Sequence, residues 1–434
     1  MGLNKKTVRD IDLKDKRVML RADYNVPVKN GVITDDYRIK QSLPTIQHIL
    51  EQPGTSLIII SHLGRPEGHP DKDSSLEPAA TALGDLLGKP VHFVSDCVGD
   101  TVKQAAANLK AGEVLLLENL RFHPEEEDDS ADFAKALLES TGAQVFVQDG
   151  FGVVHRAHAS TDAVAKLIPS VAGLLLEKEV DAISRVMKEP ARPLITIVGG
   201  AKITDKAEIL MRFIDIADCV AIGGAMANTF LAAEGIRVGK SLVEPEEFEN
   251  ARQIIKKARR LESEKTFNFL MPIDVVVSKK ANGSVTTRLV DLSSHTLADI
   301  QAYPQKPPSS ASEVADDEMI LDIGPVSAAI IAGSIKLSKT VLWNGAMGVT
   351  ETKGLAGAAS PFAHGTRVVV DAMIGTSRQH QNRPFTLVGG GDTVGYVQQQ
   401  GLVEEFDHVS TGGGASLELM AGRSLPGVEV LQDK

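Results

Sequence analysis

A short aliphatic run, a turn carrying glycine or a charged residue, then an amphipathic stretch: this unit recurs through both halves of the chain. Aliphatic runs that alternate with amphipathic segments are the pattern of a parallel sheet connected by crossover helices. The first half offers strands at Val18–Leu20, Leu57–Ile60, Val91–Val94, Val114–Leu117 and Val145–Val147. The second offers Leu194–Val198, Cys219–Ile222, Met319–Ile323, Thr340–Trp343, Arg367–Val370 and Phe385–Val388. The chain has 434 residues, and a single core stops growing near roughly 250–300 residues, so two α/β lobes are expected. Between them, Ala172, Leu176, Val180, Ile183 and Met187 recur at helical spacing between Pro169 and Pro190. That stripe predicts a helix over 171–189 joining the lobes.

Apolar residues at 43% and charged residues at 24% suit a packed globular protein. The formal net charge of -11 argues against nucleic-acid and anionic-membrane partners, which need a basic face to displace counterions. Any anion site must therefore be local. Cys97 and Cys219 lie in different halves without metal or redox spacing, which points to reduced thiols and a cytoplasmic setting. The start of the chain is polar and charged, with no apolar stretch suited to export or anchoring. Ser293–Asp317, rich in proline and serine, is expected to be an irregular surface loop.

Four strand ends of the first half carry polar and cationic residues just beyond the carboxyl end, where open α/β sheets bind ligands. They are Arg21-Ala22-Asp23-Tyr24-Asn25, followed by Arg38; Ser61-His62-Leu63-Gly64-Arg65; Glu118-Asn119-Leu120-Arg121; and Asp149 through Arg156 to His158. A guanidinium matches phosphate and carboxylate oxygens with a planar fork of donors. A single arginine is most often a surface ion-pair partner. Cations at four equivalent strand ends of an acidic chain instead describe a site for a small polyanion.

The second half ends its strands in glycine: Gly199-Gly200, Gly223-Gly224, Gly389-Gly390-Gly391 before Asp392 and Thr393, and Gly412-Gly413-Gly414. Glycine turns that open helices present free N–H groups and a favourable dipole to phosphate, although one such turn alone is weak evidence. Lys202 and Lys206, four apart where a helix would start, are expected on one helical face near those phosphates. Asp392 is a candidate Mg²⁺ ligand, its ordinary alternative being a helix N-cap. Gly235 to Ser241 is one residue short of a Walker A loop and is set aside.

The motifs RADYNVP, SHLGRP, LLENLRFHPEEE, HRAHAST, GGAKITDK, GGAMANTF, LWNGAMGV, VGGGDT and HVSTGGGASLEL occur in an order that resembles the phosphoglycerate kinase family, from about Val18 to Leu431. The resemblance implies a 3-phosphoglycerate-binding domain over 1–170, a nucleotide-binding domain over 190–405, and a segment over 406–434 that returns to the first domain. By the same carry-over, Asp23, Asn25, Arg38, His62, Arg65, Arg121 and Arg156 would hold 3-phosphoglycerate. Lys206, Glu351, Gly390, Gly391, Asp392 and Thr393 would contact ATP or ADP, Gly223 and Gly224 would line the adenine pocket, and Asp392 would coordinate Mg²⁺. Arg38, Lys202, Gly412 and Gly413 would stabilise the moving phosphoryl group. The chain departs from the usual family pattern at Ala346, Thr350 and Gly150.

What this implies is reversible phosphoryl transfer between 1,3-bisphosphoglycerate with ADP and 3-phosphoglycerate with ATP, by a monomer whose lobes close for direct in-line transfer. Two other readings stay open at this point: an acyl-phosphate-forming kinase acting on another small acid, and a non-catalytic binding paralogue. The many cations of the first lobe favour a phosphorylated acid, and the presence of Lys202, Arg38 and Asp392 disfavours the paralogue.

Overall fold

The computed structural model describes residues 2–293, 313–354, 360–375 and 383–434. Most of the stretch expected as an irregular loop, from 294 to 312, lies outside the described residues. The chain forms two compact units, Met1–Ser184 with Thr411–Lys434, and Arg185–Ser410. The division at Ser184/Arg185 falls within the helix expected over 171–189, and the one at Ser410/Thr411 lies close to the expected start of the returning segment at 406.

In the first unit, six strands pair in parallel. They are β1 (Arg17–Arg21), β4 (Ser56–Ile60), β5 (Val91–Val94), β6 (Val114–Leu117), β7 (Val145–Gln148) and β8 (Ser170–Ala172), in the order β5-β6-β4-β1-β7-β8. Side chains alternate faces along a strand. Val18, Leu20, Leu57, Ile59, Leu116 and Val147 enter one core cluster, while Met19, Ile58, Ile60, Leu115, Leu117 and Phe146 enter another. Helices cover both faces, so the strands read as unbroken aliphatic runs. Each fully buried side chain of this size is worth roughly 1.5–3 kcal/mol.

A two-residue hairpin follows β1, joining β2 (Val28–Lys29) to β3 (Val32–Ile33). Its turn residues Asn30 and Gly31 have φ of 53° and 73°, the left-handed pair that a tight hairpin requires. The chain passes from β1 out to β4, β5 and β6 on one side and then to β7 on the other. The strand order therefore reverses around β1, and the reversal opens a crevice beyond the carboxyl ends.

The helix expected over 171–189 is shorter at its start: Ser170–Ala172 is strand β8, and the helix runs Leu174–Lys188. Ala172 belongs to the sheet because it pairs with Gln148 of β7, and its carbonyl and N–H also bond Val8 and Lys6. The helix opens on Asp149, whose Oδ1 accepts the N–H groups of Leu175 and Leu176 at 3.0 and 3.2 Å, satisfying donors that a helix start leaves unpaired.

The second unit repeats the plan with β9 (Leu194–Val198), β10 (Cys219–Ile222), β11 (Asn268–Leu270), β15 (Thr340–Asn344), β16 (Phe385–Gly389) and β17 (His408–Val409), ordered β11-β10-β9-β15-β16-β17. All are parallel. A separate antiparallel sheet holds β12 (Asp274–Ser278), β13 (Arg288–Asp291) and β14 (Met319–Ile323), ordered β13-β12-β14.

Two strand expectations are corrected here. Met319–Ile323 is a strand, but of the antiparallel sheet. Arg367–Val370 lies in a helix, His364–Ile374, that buries Thr366, Val369, Val370 and Met373 on one face. Three consecutive β-branched valines suggest a strand locally, yet this apolar face packs at helical spacing, and packing overrides a weak local preference. No helix among the described residues is long and apolar enough to cross a membrane.

Burial pushes the Asp149 carboxyl from 3.8 up to about 7, against the opposing pull of its bonds from Thr45, Leu176 and Leu175. The fold favours the protonated form, so this group's contribution to stability is full below about pH 4 and is lost as pH rises toward 7. Denaturant unfolding of wild type and Asp149→Asn across pH 4–8 should show the variant gaining on wild type as pH rises.

Candidate active site

Arg21 ends β1 and is only 1% exposed. Its Nε donates to Ser160 Oγ at 2.8 Å, its Nη1 to the Ala22 carbonyl, and its Nη2 lies 3.2 Å from His62 Nδ1. Ser160 in turn donates to Glu126, with Oγ to Oε1 at 2.6 Å and N–H to Oε2 at 2.9 Å. Glu126 is wholly buried.

Around this group stand the other cations. Arg38 Nη1 pairs with Asp23 Oδ2 at 2.9 Å and reaches the Asn25 carbonyl at 3.2 Å. Asn25 bridges two strand ends: its N–H donates to Asp23 Oδ1, and its Oδ1 accepts the Gly64 N–H at 3.0 Å. Arg121 Nη1 donates to the Gly64 carbonyl at 2.8 Å, and its Nε pairs with Glu127 at 3.1 Å. Arg156 Nε lies 3.3 Å from His155 Nε2. Arg65 is exposed, and neither it nor Arg156 has a carboxylate partner among the described residues.

Burial holds the His62 imidazole well below its ordinary value, and Arg21, Arg121, Arg38 and His158 push it further the same way. His158 is pushed down to about 4, first by burial, then by Arg21, Arg121 and Arg156. At neutral pH both rings are uncharged, and the arginines carry the positive charge. The Gly412 turn also belongs to this unit. A Cβ at Gly412 would sit 2.2 Å from Phe151 Cδ1, and one at Gly414 3.1 Å from His155 Nε2. This close approach brings the start of the helix Gly413–Ala421 beside the Asp149–His158 turn.

In the second unit, glycine turns follow β9, β10, β15 and β16. The Lys202–Lys206 expectation needs correction: the helix begins only at Ala207, with Lys206 as its N-cap. The preceding loop is held by Glu244, which accepts from Ile203 N–H and from Thr204 Oγ1, so the two lysines share no helical face. Lys202 is exposed. Lys206 Nζ folds back to the Gly199 carbonyl at 2.7 Å, the Asn344 carbonyl at 3.2 Å and Asn344 Oδ1 at 2.9 Å. Burial lowers its ammonium to about 8, opposed by Asp392 and Asp205.

Gly390, with φ of 90°, caps the helix Gly391–Gln399. It lies so near Asn344 that a Cβ would be 3.0 Å from Oδ1. Asn344 Nδ2 is buried without an acceptor among the described residues. Asp392 is exposed on the first turn of that helix, and Thr393 Oγ1 accepts the Gly345 N–H at 2.6 Å. A cavity of about 140 Å³ is lined by Gly200, Gly224, Asn228, Met347, Glu351 and Asp392, among others.

The sequence model for phosphoglycerate kinase matches residues 8–423. The chain belongs to the phosphoglycerate kinase family. It is 42% identical over 430 residues to the phosphoglycerate kinase of Pelotomaculum thermopropionicum, covering 99% of this chain and 100% of that one. For the phosphoglycerate kinase of Moorella thermoacetica the identity is 43% over 430 residues, with the same coverage. The structure of phosphoglycerate kinase from Coxiella burnetii superposes with a TM-score of 0.79 at 35% identity, covering 98% of both chains.

Against the phosphoglycerate kinase pattern, Asp23, Asn25, Arg38, His62, Arg121 and Arg156 are brought together in the first unit, with Arg65 at the same strand ends. Gly224, Glu351 and Asp392 line one cavity of the second unit. Gly223 does not line it; a Cβ there would meet Met347 Sδ at 2.6 Å, so Gly223 shapes the cavity through Met347. Sequence reasoning missed Glu126, Ser160 and Asn344 as parts of these sites. Each is an ordinary polar residue whose burial comes only with tertiary packing, and nothing in the Glu125-Glu126-Glu127 run says which carboxylate turns inward.

Gly224 has φ of 66°, and a Cβ on it would be 2.5 Å from Gly200 N and 2.6 Å from Gly200 O. Gly224→Ala should cost about 1–3 kcal/mol, read as a lower melting temperature. Gly395→Ala, within a helix and with no neighbour within 4 Å, should hold or raise it.

Proposed function

We propose that the ring of arginines at the strand ends of the first unit binds 3-phosphoglycerate, and that the glycine turns of the second bind ATP or ADP. Membership of the family makes the chain a glycolytic phosphotransferase. The observation that carries the substrate assignment is the clustering of Arg38, Arg65, Arg121 and Arg156 around the strand ends of one sheet in a chain of net charge -11. A small acid without phosphate would not need so many donors. The partnerless Asn344 Nδ2 beside the Gly390 turn, with the dipole of the helix Gly391–Gln399, suits nucleotide phosphate.

The family uses nucleotide substrates, typically with Mg²⁺. The donor set fits that ion: Asp392 is an exposed carboxylate at a helix start bordering the cavity, and magnesium takes one or two carboxylates together with phosphate oxygens and water. When bound there it would neutralise charge on the nucleotide phosphates. Lys206 already makes three bonds within the protein, so contact with a phosphate must replace at least one of them.

The 3-phosphoglycerate carboxylate is ionised at neutral pH and needs no general base, so the protein's task is positioning and charge neutralisation. In this reading Arg38 and Lys202, with the N–H groups at Gly412 and Gly413, neutralise the phosphoryl group in flight. Arg38 and Lys202 belong to different units. We propose that the chain acts as a cytoplasmic monomer, in keeping with its two free, buried thiols.

Purified protein given ATP, Mg²⁺ and 3-phosphoglycerate should yield acyl phosphate trappable by hydroxylamine, with no product when any component is omitted. Lys202→Ala and Arg38→Ala should each lower kcat about 10²–10³-fold; a folded wild type without product would overturn the assignment. Lys206 is charged below about pH 8 and loses its charge above it. ADP affinity by calorimetry should therefore weaken between pH 7 and 9, and Lys206→Met should weaken it at pH 7 and remove that pH dependence.

A further inference from the structure

The buried chain Glu126–Ser160–Arg21–His62 lies behind the cation ring and has a direction. Arginine offers only donors, so the Nη2 of Arg21, 3.2 Å from His62 Nδ1, forces that ring nitrogen to accept. The imidazole proton then resides on Nε2, which has no partner among the described residues. Arg21 keeps its place because its Nε donates to Ser160 Oγ at 2.8 Å. That hydroxyl cannot rotate freely, since its own proton goes to Glu126 Oε1 at 2.6 Å while the Ser160 N–H holds Oε2 at 2.9 Å. Both Glu126 oxygens accept from Ser160; burial raises its carboxyl, while Arg21 and these two bonds favour the ionised form set behind the buried guanidinium. Glu126 itself touches none of the residues assigned to substrate.

We propose that Glu126 is a positioning residue for the reaction: through Ser160 and Arg21 it locks His62 into the tautomer protonated at Nε2, so that His62 donates a hydrogen bond to a substrate oxygen. The charged and titratable groups acting on His62 are Arg21, Arg121, Arg38 and His158, and His158 Nδ1 is itself 3.9 Å from Glu126 Oε1. The four cationic or potentially cationic neighbours all oppose protonation of His62, which keeps one nitrogen free to accept from Arg21. Removing the carboxylate frees Ser160 and with it the Arg21 side chain, and the imidazole loses its fixed acceptor role.

This inference rests on the substrate assignment above only where it concerns binding; the tautomer is a property of the free protein. Long-range ¹⁵N–¹H correlation spectra of the ligand-free wild type, across pH 5–8, should show His62 neutral with its proton on Nε2. In Glu126→Gln and Ser160→Ala, the latter removing only the hydroxyl, the ring should sample both tautomers. The KM for 3-phosphoglycerate should rise about tenfold while kcat stays within twofold and the KM for ATP is unchanged. Ser160→Thr, which restores a hydroxyl, should recover the wild-type spectrum. A wild-type His62 protonated at Nδ1, or an unaltered single tautomer in both folded variants, would overturn the proposal. If the spectra behave as expected but wild type turns over no 3-phosphoglycerate, the relay stands and the substrate assignment fails.

Discussion

Burying the Arg21 guanidinium at the end of β1 is the interaction on which the first unit's site is built. Taking an arginine out of water costs several kcal/mol unless its donors and its charge are met inside the protein. Ser160, the Ala22 carbonyl and His62 Nδ1 meet donors from each of its three nitrogens, and Glu126 supplies the opposing charge one hydroxyl away. Those partners come from four separate segments, so satisfying one buried cation ties the ends of β1 and β4 to the turns after β6 and β7. The other cations are met more simply: Arg38 and the buried Arg121 pair with Asp23 and Glu127, and Arg65 and Arg156 have no carboxylate partner among the described residues.

The second unit works with backbone instead of cations. Gly199, Gly224 and Gly345 lie so close to neighbouring backbone that a Cβ on any of them would fall 2.1–2.5 Å from a backbone atom of Ala346, Gly200 or Gly199. The same crowding delivers carbonyl oxygens to Lys206 and leaves the Asn344 amide nitrogen without a partner among the described residues. A parallel sheet buried on both faces can place polar chemistry only at its strand ends. Both units use that place, one with guanidinium groups and the other with glycine turns and a lysine.

Legibility from sequence followed the range of the interactions. Strands such as Leu57–Ile60 and Leu194–Val198 were readable because sheet burial on both faces turns them into unbroken aliphatic runs. Arg367–Val370 misled because three valines in succession satisfy a strand locally, while the helix His364–Ile374 wins through the packing of Thr366, Val369, Val370 and Met373. The strands His408–Val409 and Asn268–Leu270 are too short to carry a pattern. Among site residues, arginines at strand ends were visible because their position relative to a strand is itself local information.

What the sequence determined by itself was the α/β alternation, the division into two units, and which side chains arrive at the strand ends, since each depends on residues near one another in the chain. The tertiary structure alone decided that Met319–Ile323 joins an antiparallel sheet, that Glu126 is the buried member of three consecutive glutamates, and that Lys206 bonds back to Gly199 and Asn344 while Lys202 stays exposed. The burial of Glu126 and the bond of Lys206 to Asn344 depend on partners 34 and 138 residues away, and no local pattern encodes the burial that such partners create.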